Sequence, residues 1–266
     1  MTDQDLAMMG EARVRKTTWQ GKTAIHKAPV HPTEAYFYQE ILCQPGASGI
    51  SAPDVFAVSP SEGMWIEYIP HAVHPSETGQ PDFMQALAEI HEADLNLDRD
   101  RLFPYRWTTQ DTERAIDRFE PDQQRLIDRW LPDFFDRQSS VFEPVCPVSG
   151  DTNAFNWGRR ENGDLVLFDW ERFGMGSPAM DLAPMIPGLP DIELVDRYCS
   201  AYLDVRHTAG FHSESIRSQV LTTMAWLVIE VVNILHDRGN PEVGRYMEWF
   251  NRRFGGWLKG QSVWLL

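Results

Sequence analysis

Hydrophobic and polar positions alternate with a two-residue period near the start of the chain. From Arg13 to Pro29 the alternation breaks at Gln20-Gly21, which predicts two strands around a turn, with Thr23, Ile25 and Lys27 on one face. Pro32-Thr33 then opens a helix through Leu42 that carries Glu34, Tyr36, Phe37, Tyr38 and Ile41. After a Pro/Gly-rich turn at Pro45 to Gly49, Asp54 to Val58 and Met64 to Ile69 predict two further strands joined at Pro60-Ser61-Glu62-Gly63. These elements make a small α+β lobe ending near Ile69. From Pro81 the period lengthens: Phe83, Leu87, Ile90, His91 and Leu95 form one helical stripe, on which His91 reads as a core histidine. Thr112 to Phe119 and Pro121 to Phe135 predict a helix pair, and Pro190 to Val205, Ser213 to His236 and Pro241 to Lys259 predict three more helices.

Between the helices lies a stretch of another kind, Val148-Ser149-Gly150-Asp151-Thr152-Asn153-Ala154-Phe155-Asn156-Trp157, followed by Leu165-Val166-Leu167-Phe168-Asp169-Trp170-Glu171. Asn162-Gly163 supports a tight turn, and Leu165 to Phe168 reads as a short buried strand ending on Asp169. Asp151, Asn156 and Asp169 are thereby expected to converge on one cleft. Phosphoryl transfer needs such convergence more than covalent chemistry: one carboxylate receives the proton of the attacking hydroxyl, while an amide oxygen and a second carboxylate hold Mg²⁺ against the phosphates. An Asp and an Asn at this spacing also occur in ordinary turns. The strand and the second Asp-Trp-Glu that follow in order favour the functional reading.

Composition narrows the partners. The 266 residues carry Asp+Glu 39 against Lys+Arg 24, a net charge of −15, with 42% hydrophobic and 12% aromatic content. Such a chain is globular, and its field disfavours nucleic acid and anionic membranes while favouring cationic ligands or simple solubility. Cys43, Cys146 and Cys199 are far apart and odd in number, which fits a reducing cytosol better than a disulfide framework or zinc site. The acidic start, Met1 to Asp5, lacks the basic region of a signal peptide, and Met224 to Leu235 is interrupted by Glu230 and Asn233. A soluble, cytoplasmic protein is expected. Trp226, Trp249, Trp257 and Trp264 crowd the last third, as core or as walls of a pocket that accepts a cation.

The order D-x-x-x-x-N, strand, D-W-E, then Gly174-Met175-Gly176-Ser177-Pro178-Ala179-Met180-Asp181-Leu182-Ala183 resembles the aminoglycoside phosphotransferase and choline kinase family, relatives of the protein kinases. The resemblance implies a bilobal, α+β, protein-kinase-like fold: a nucleotide-binding lobe over residues 1–69 and a helical lobe over residues 70–266 holding the catalytic loop and the substrate site. By it Asp151 is the catalytic base, Asn156 and Asp169 the Mg²⁺ ligands, and Asp181 a buried acceptor for catalytic-loop donors. Lys27 fits the strand lysine that contacts phosphates, Glu34 fits its helix partner better than Glu40, and Glu67 to Ile69 fits the linker whose backbone meets an adenine edge. The implied activity is transfer of the γ-phosphoryl group of ATP, or GTP, to a hydroxyl of a small molecule, expected to be amine-bearing. Two departures motivate a rival reading as a nucleotide-binding pseudokinase with a regulatory or scaffolding role. Ser149 stands where the family pattern has His, and the twelve residues ahead of Arg13 contain only Gly10, so the phosphate-covering loop is expected short or absent.

Overall fold

The computed structural model describes residues 12–59, 61–206 and 213–265. The chain divides into two compact units, Met1–Phe103 with Pro147–Gly174, and Pro104–Cys146 with Met175–Leu266. The expected phosphate-covering loop and Pro60 of the expected turn fall outside the described residues.

The first unit begins with β1 (Arg13–Trp19) and β2 (Lys22–Ala28), paired antiparallel from Trp19↔Lys22 to Arg13↔Ala28. Gln20 and Gly21 both take positive φ, 46° and 84°, the backbone that a two-residue hairpin needs to match strand twist. β3 (Val55–Ser59) and β4 (Gly63–Glu67) complete a four-stranded sheet in the order β1-β2-β4-β3. The strand expected to reach Ile69 stops at Glu67, and a two-residue strand absent from the sequence reading, β5 (His71–Ala72), follows the break.

Between β2 and β3 the helix expected from Pro32 forms in two parts. α1 (Pro32–Tyr36) has Pro32 in its first turn and His31 Nδ1 accepting from the Thr33 N–H at 3.3 Å. A π-helical turn continues it through Phe37–Ile41, with Leu42 N–H donating to the Phe37 carbonyl at 3.1 Å. The wider turn lets Tyr36, Phe37, Tyr38 and Ile41 all lie buried.

α2 (Pro81–His91) buries Phe83, Leu87, Ile90 and His91, as the stripe requires, while Leu95 lies beyond its end. Farther along, β7 (Trp157–Arg159) and β8 (Leu165–Leu167) form the expected hairpin, and β5 adds to its edge in the order β5-β7-β8. Gly163, at φ +92°, makes its turn. β6 (Cys146–Val148) precedes this stretch and β9 (Gly174–Gly176) follows it.

The second unit is helical. α3 (Thr109–Ile116) starts earlier than the expected Thr112 because Thr108 caps it, its hydroxyl accepting from the Asp111 N–H at 3.0 Å. α4 (Pro121–Phe135) matches its expected bounds; α5 (Gln138–Phe142) and α6 (Ala179–Met185) are short helices that periodicity could not reveal. α7 (Ile192–Val205), α8 (Ser213–Asp237) and α9 (Val243–Gln261) are the three expected long helices. α8 is central, with α3, α6 and α7 among the helices packed on it. By length and composition it could cross a membrane, but 67% of its most apolar window is buried in the protein. Trp226 and Trp257 are core residues whose indoles donate to the Arg106 and Pro190 carbonyls, whereas Trp264 is exposed.

Candidate active site

In the first unit three separate segments meet on one ammonium. Lys27, from β2, is almost wholly buried; its Nζ lies 2.8 Å from a Glu34 oxygen, 2.8 Å from Asp169 Oδ1 and 3.0 Å from Glu171 Oε1. Burial works against the cation, but Glu34, Asp169 and Glu171 together hold its pKa well above the usual lysine value. Glu34 is the innermost carboxylate, and burial raises it to about 7 even against the pull of Lys27. Asp169 is raised to about 6, by burial first, with Lys27 opposing and Glu171 and Asp151 adding to the rise. Glu171 goes the other way: burial would raise it, but Lys27 more than offsets that and leaves its carboxyl below the ordinary range. One cation is thus shared by three carboxylates of unequal acidity.

Backbone and packing fix the two sides of this cluster. Asp169 adopts φ +67°, a left-handed conformation in which a non-glycine residue persists only if its surroundings over-determine it. The surroundings are aromatic: Trp170 is fully buried, donates its indole N–H to the Leu167 carbonyl at 3.0 Å, and stacks on Phe37 at 3.8 Å between centroids with 9° between planes. Phe173 packs on Phe37 at 4.9 Å. The helix that carries Glu34 and the loop that carries Asp169 therefore share one aromatic contact surface.

Asp151 and Asn156 lie in the loop that leads into β7. The Asn156 amide nitrogen donates to the Asp151 carbonyl at 2.9 Å, and the Asn153 side chain donates to Asp151 Oδ1 at 2.6 Å. The Trp157 indole donates to the Thr152 carbonyl at 2.9 Å within the loop, and Phe168 N–H donates to the Asn156 carbonyl at 2.9 Å, which ties the two ends of the β7–β8 hairpin together. Burial raises the Asp151 carboxyl, and Arg172 is the foremost influence lowering it. Asp181 and Ser149 are completely buried. Glu34, Asp169 and Glu171 each offer a carboxylate oxygen within 4.8 Å of the others, a set of oxygen donors of the kind that could hold a divalent cation.

Glu67 and Ile69, expected in the linker, lie apart from the cluster. The Glu67 carboxylate takes no part near Lys27; it is held by Arg160 across the β7–β8 turn. Ile69 packs against Gly158, where an added Cβ would come within 2.6 Å of Ile69 Cγ2. Glu40, the poorer of the two helix candidates, is half-exposed and pairs with Arg101 at 2.6 Å. The sequence places Glu171 beside the cleft with Asp151 and Asp169, though without a contact to Lys27, whereas Arg160 and Arg172 carry no signal there beyond charge.

The profile of the Phosphotransferase enzyme family matches residues 12–213, most of the chain, and the chain belongs to that family. Among solved structures, a choline/ethanolamine kinase family protein from Mesorhizobium loti superposes with a TM-score of 0.68 at 15% identity, covering 100% of this chain and 92% of that one. The choline kinase LicA from Streptococcus pneumoniae gives 0.62 at 17% identity, covering 97% and 93%. A spectinomycin phosphotransferase in complex with ADP and spectinomycin gives 0.61 at 12% identity, covering 99% and 92%. No curated protein matches the sequence significantly. The fold is α+β and protein-kinase-like, with an N-terminal antiparallel sheet and a mainly helical C-terminal part, and the chain is a small-molecule phosphotransferase.

Proposed function

We propose that the chain transfers the γ-phosphoryl group of ATP, with GTP as the alternative donor, to a hydroxyl of an amine-bearing small molecule. The hydroxyl oxygen bonds to the γ-phosphorus, the bond to the β–γ bridging oxygen breaks, ADP leaves, and Asp151 accepts the hydroxyl proton. Lys27, oriented by Glu34, faces the phosphates, and the backbone from Glu67 to Ile69 receives the adenine edge. Asn156 and Asp169 would hold Mg²⁺, which when bound neutralises charge on the β- and γ-phosphates. Residues 1–69 form the nucleotide lobe in this reading, and residues 70–266 the lobe of catalytic loop and acceptor.

The observation that carries the reading is the convergence on Lys27 of Glu34 and Asp169 from distant segments, at 2.8 Å each. The amine-bearing acceptor is supported by the net charge of −15 and by three carboxylates around one cation. A cytoplasmic location goes with it, consistent with three free thiols at Cys43, Cys146 and Cys199.

The test is Mg²⁺-dependent ADP release with a panel of acceptors: choline, ethanolamine, aminoglycosides, spectinomycin and macrolides. Turnover that survives Asp151→Asn would refute the assignment of the base, and nucleotide binding without turnover by any acceptor would favour the pseudokinase. An active amino-alcohol is then compared with its neutral isosteric diol at two salt concentrations. A diol that competes equally at low salt removes the amine preference alone, because steering of a cation weakens with screening over ~8 Å at physiological ionic strength.

A further inference from the structure

The turn of the β7–β8 hairpin reaches back to the end of β4. Arg160 Nε donates to Glu67 Oε1 at 2.9 Å and Oε2 at 3.1 Å, and Nη2 donates to Glu67 Oε2 at 2.7 Å and to the Ala52 carbonyl at 3.1 Å. Glu67 Oε2 also accepts the Asp54 N–H at 3.1 Å, and the Glu67 N–H returns to the Asp54 carbonyl at 2.8 Å. The side chains of Arg160 and Glu67 are 25% and 22% exposed, so the fork is sheltered without being sealed. Burial would raise the Glu67 carboxyl, but the hydrogen bonds from Arg160 and from Asp54 pull it below the ordinary range.

This knot sits between two parts of the candidate site. On one side Glu67 begins the linker Glu67 to Ile69. On the other, Arg160 belongs to the hairpin whose ends are Asn156 and Asp169. Further contacts run in parallel: Leu167 N–H donates to the Ser51 carbonyl at 3.0 Å, His71 pairs with Arg159 in the small sheet, and Gly158 admits Ile69 closely. The planar guanidinium sets an angle as well as a distance, which a single ammonium could not do.

We infer that Arg160 is a positioning residue for the nucleotide base: by gripping Glu67 and Ala52 it fixes the linker backbone relative to the hairpin that carries Asn156 and Asp169. The inference rests on the proposed nucleotide reading. It separates the two ends of the nucleotide, since the base would feel the loss of Arg160 and the phosphates would not.

The test uses the full chain and two probes, MgATP and magnesium tripolyphosphate, which shares the phosphates but has no base. Each is titrated by calorimetry, well below the melting temperature, into wild type, Arg160→Ala, Arg160→Lys, and the double variant Arg160→Glu with Glu67→Arg. Arg160→Ala is expected to raise the Kd for MgATP about tenfold, equivalent to ~1.4 kcal/mol, with the Kd for tripolyphosphate unchanged. Arg160→Lys, which keeps the charge and the fold but loses the fork, is expected to show the same asymmetry at smaller size, and it serves if the alanine variant does not fold. The charge-exchanged double variant is expected to recover part of the MgATP affinity. Equal weakening of both probes, or no change in either, overturns the assignment and leaves Arg160 a structural tie. A wild type that binds no MgATP overturns the nucleotide reading and this inference with it, which is distinct from a wild type and variants that bind alike.

Discussion

Replacing Lys27 with Met strands the Glu34 carboxyl. Glu34 is 1% exposed, and Lys27 is the foremost influence that favours its charged form. Removing one partner of a buried pair costs about 3–5 kcal/mol, a large share of the about 5–15 kcal/mol that holds a typical domain together. Asp169 and Glu171 lose the same partner, but their side chains are 33% and 27% exposed, so water covers much of their loss. The deficit should therefore be a Glu34 effect, and Glu34→Gln added to Lys27→Met should recover about 0.5–3 kcal/mol as coupling between neighbours. It should also depend on pH. Folded Glu34 titrates at about 7, against an ordinary value of 4.5, and loss of Lys27 raises it further. The folded state then holds its proton more tightly than the unfolded one, so the stability of both proteins falls as pH rises from about 4.5 through about 7; wild type then levels off while the variant goes on losing stability, so its deficit grows above about pH 7. Urea unfolding of wild type, both single variants and the double variant, at pH values below and above the window, measures all of this. Activity should stay lost in both Lys27→Met proteins even where stability returns. Additive destabilisation with no pH dependence would refute the reasoning.

Asp169→Asn keeps a residue that tolerates the left-handed backbone but removes the charge of the proposed Mg²⁺ ligand. Mg²⁺-dependent nucleotide binding should disappear while the thermal midpoint changes little, as calorimetry and melting curves would show. In wild type the same binding should weaken as pH falls through about 6, where Asp169 takes up its proton, and a titration series across that pH checks the sign. Arg172→Gln removes the foremost influence that lowers the Asp151 carboxyl, so the acidic limb of the kcat/KM profile should move to higher pH. Ser149→His places an imidazole where Ser149 is fully buried, and chemical denaturation should show a loss of about 1–3 kcal/mol from overpacking.

Legibility of the chain followed the range of the interactions. The β1–β2 hairpin, α2, α4 and the three long helices near the C-terminus are written in local periods, and the structure forms them near their expected bounds. Lys27 and Glu34 are paired in the sequence only through the family resemblance, since each alone reads as a surface charge, and their side chains do meet. α6 lacks a full amphipathic repeat, and the π-helical turn at Phe37–Ile41 has no sequence signature of its own. Arg160 meets Glu67 across 93 residues of chain, a pairing no local pattern encodes. The left-handed backbone at Asp169 was hidden for another reason: a residue with a Cβ does not advertise positive φ as glycine does.

The turn at Gly163 has a practical side. A Cβ built there meets nothing within 4 Å, and Glu161, Asn162 and Asp164 are exposed. The separation of Asn156 from Asp169 is set below the turn by the Trp157↔Leu167 and Arg159↔Leu165 pairs, so the tip is insulated from it. The tip can be lengthened only while Arg160 keeps its grip on Glu67, so an epitope or fluorophore grafted between Asn162 and Gly163 would serve as a handle on the hairpin just outside that fork.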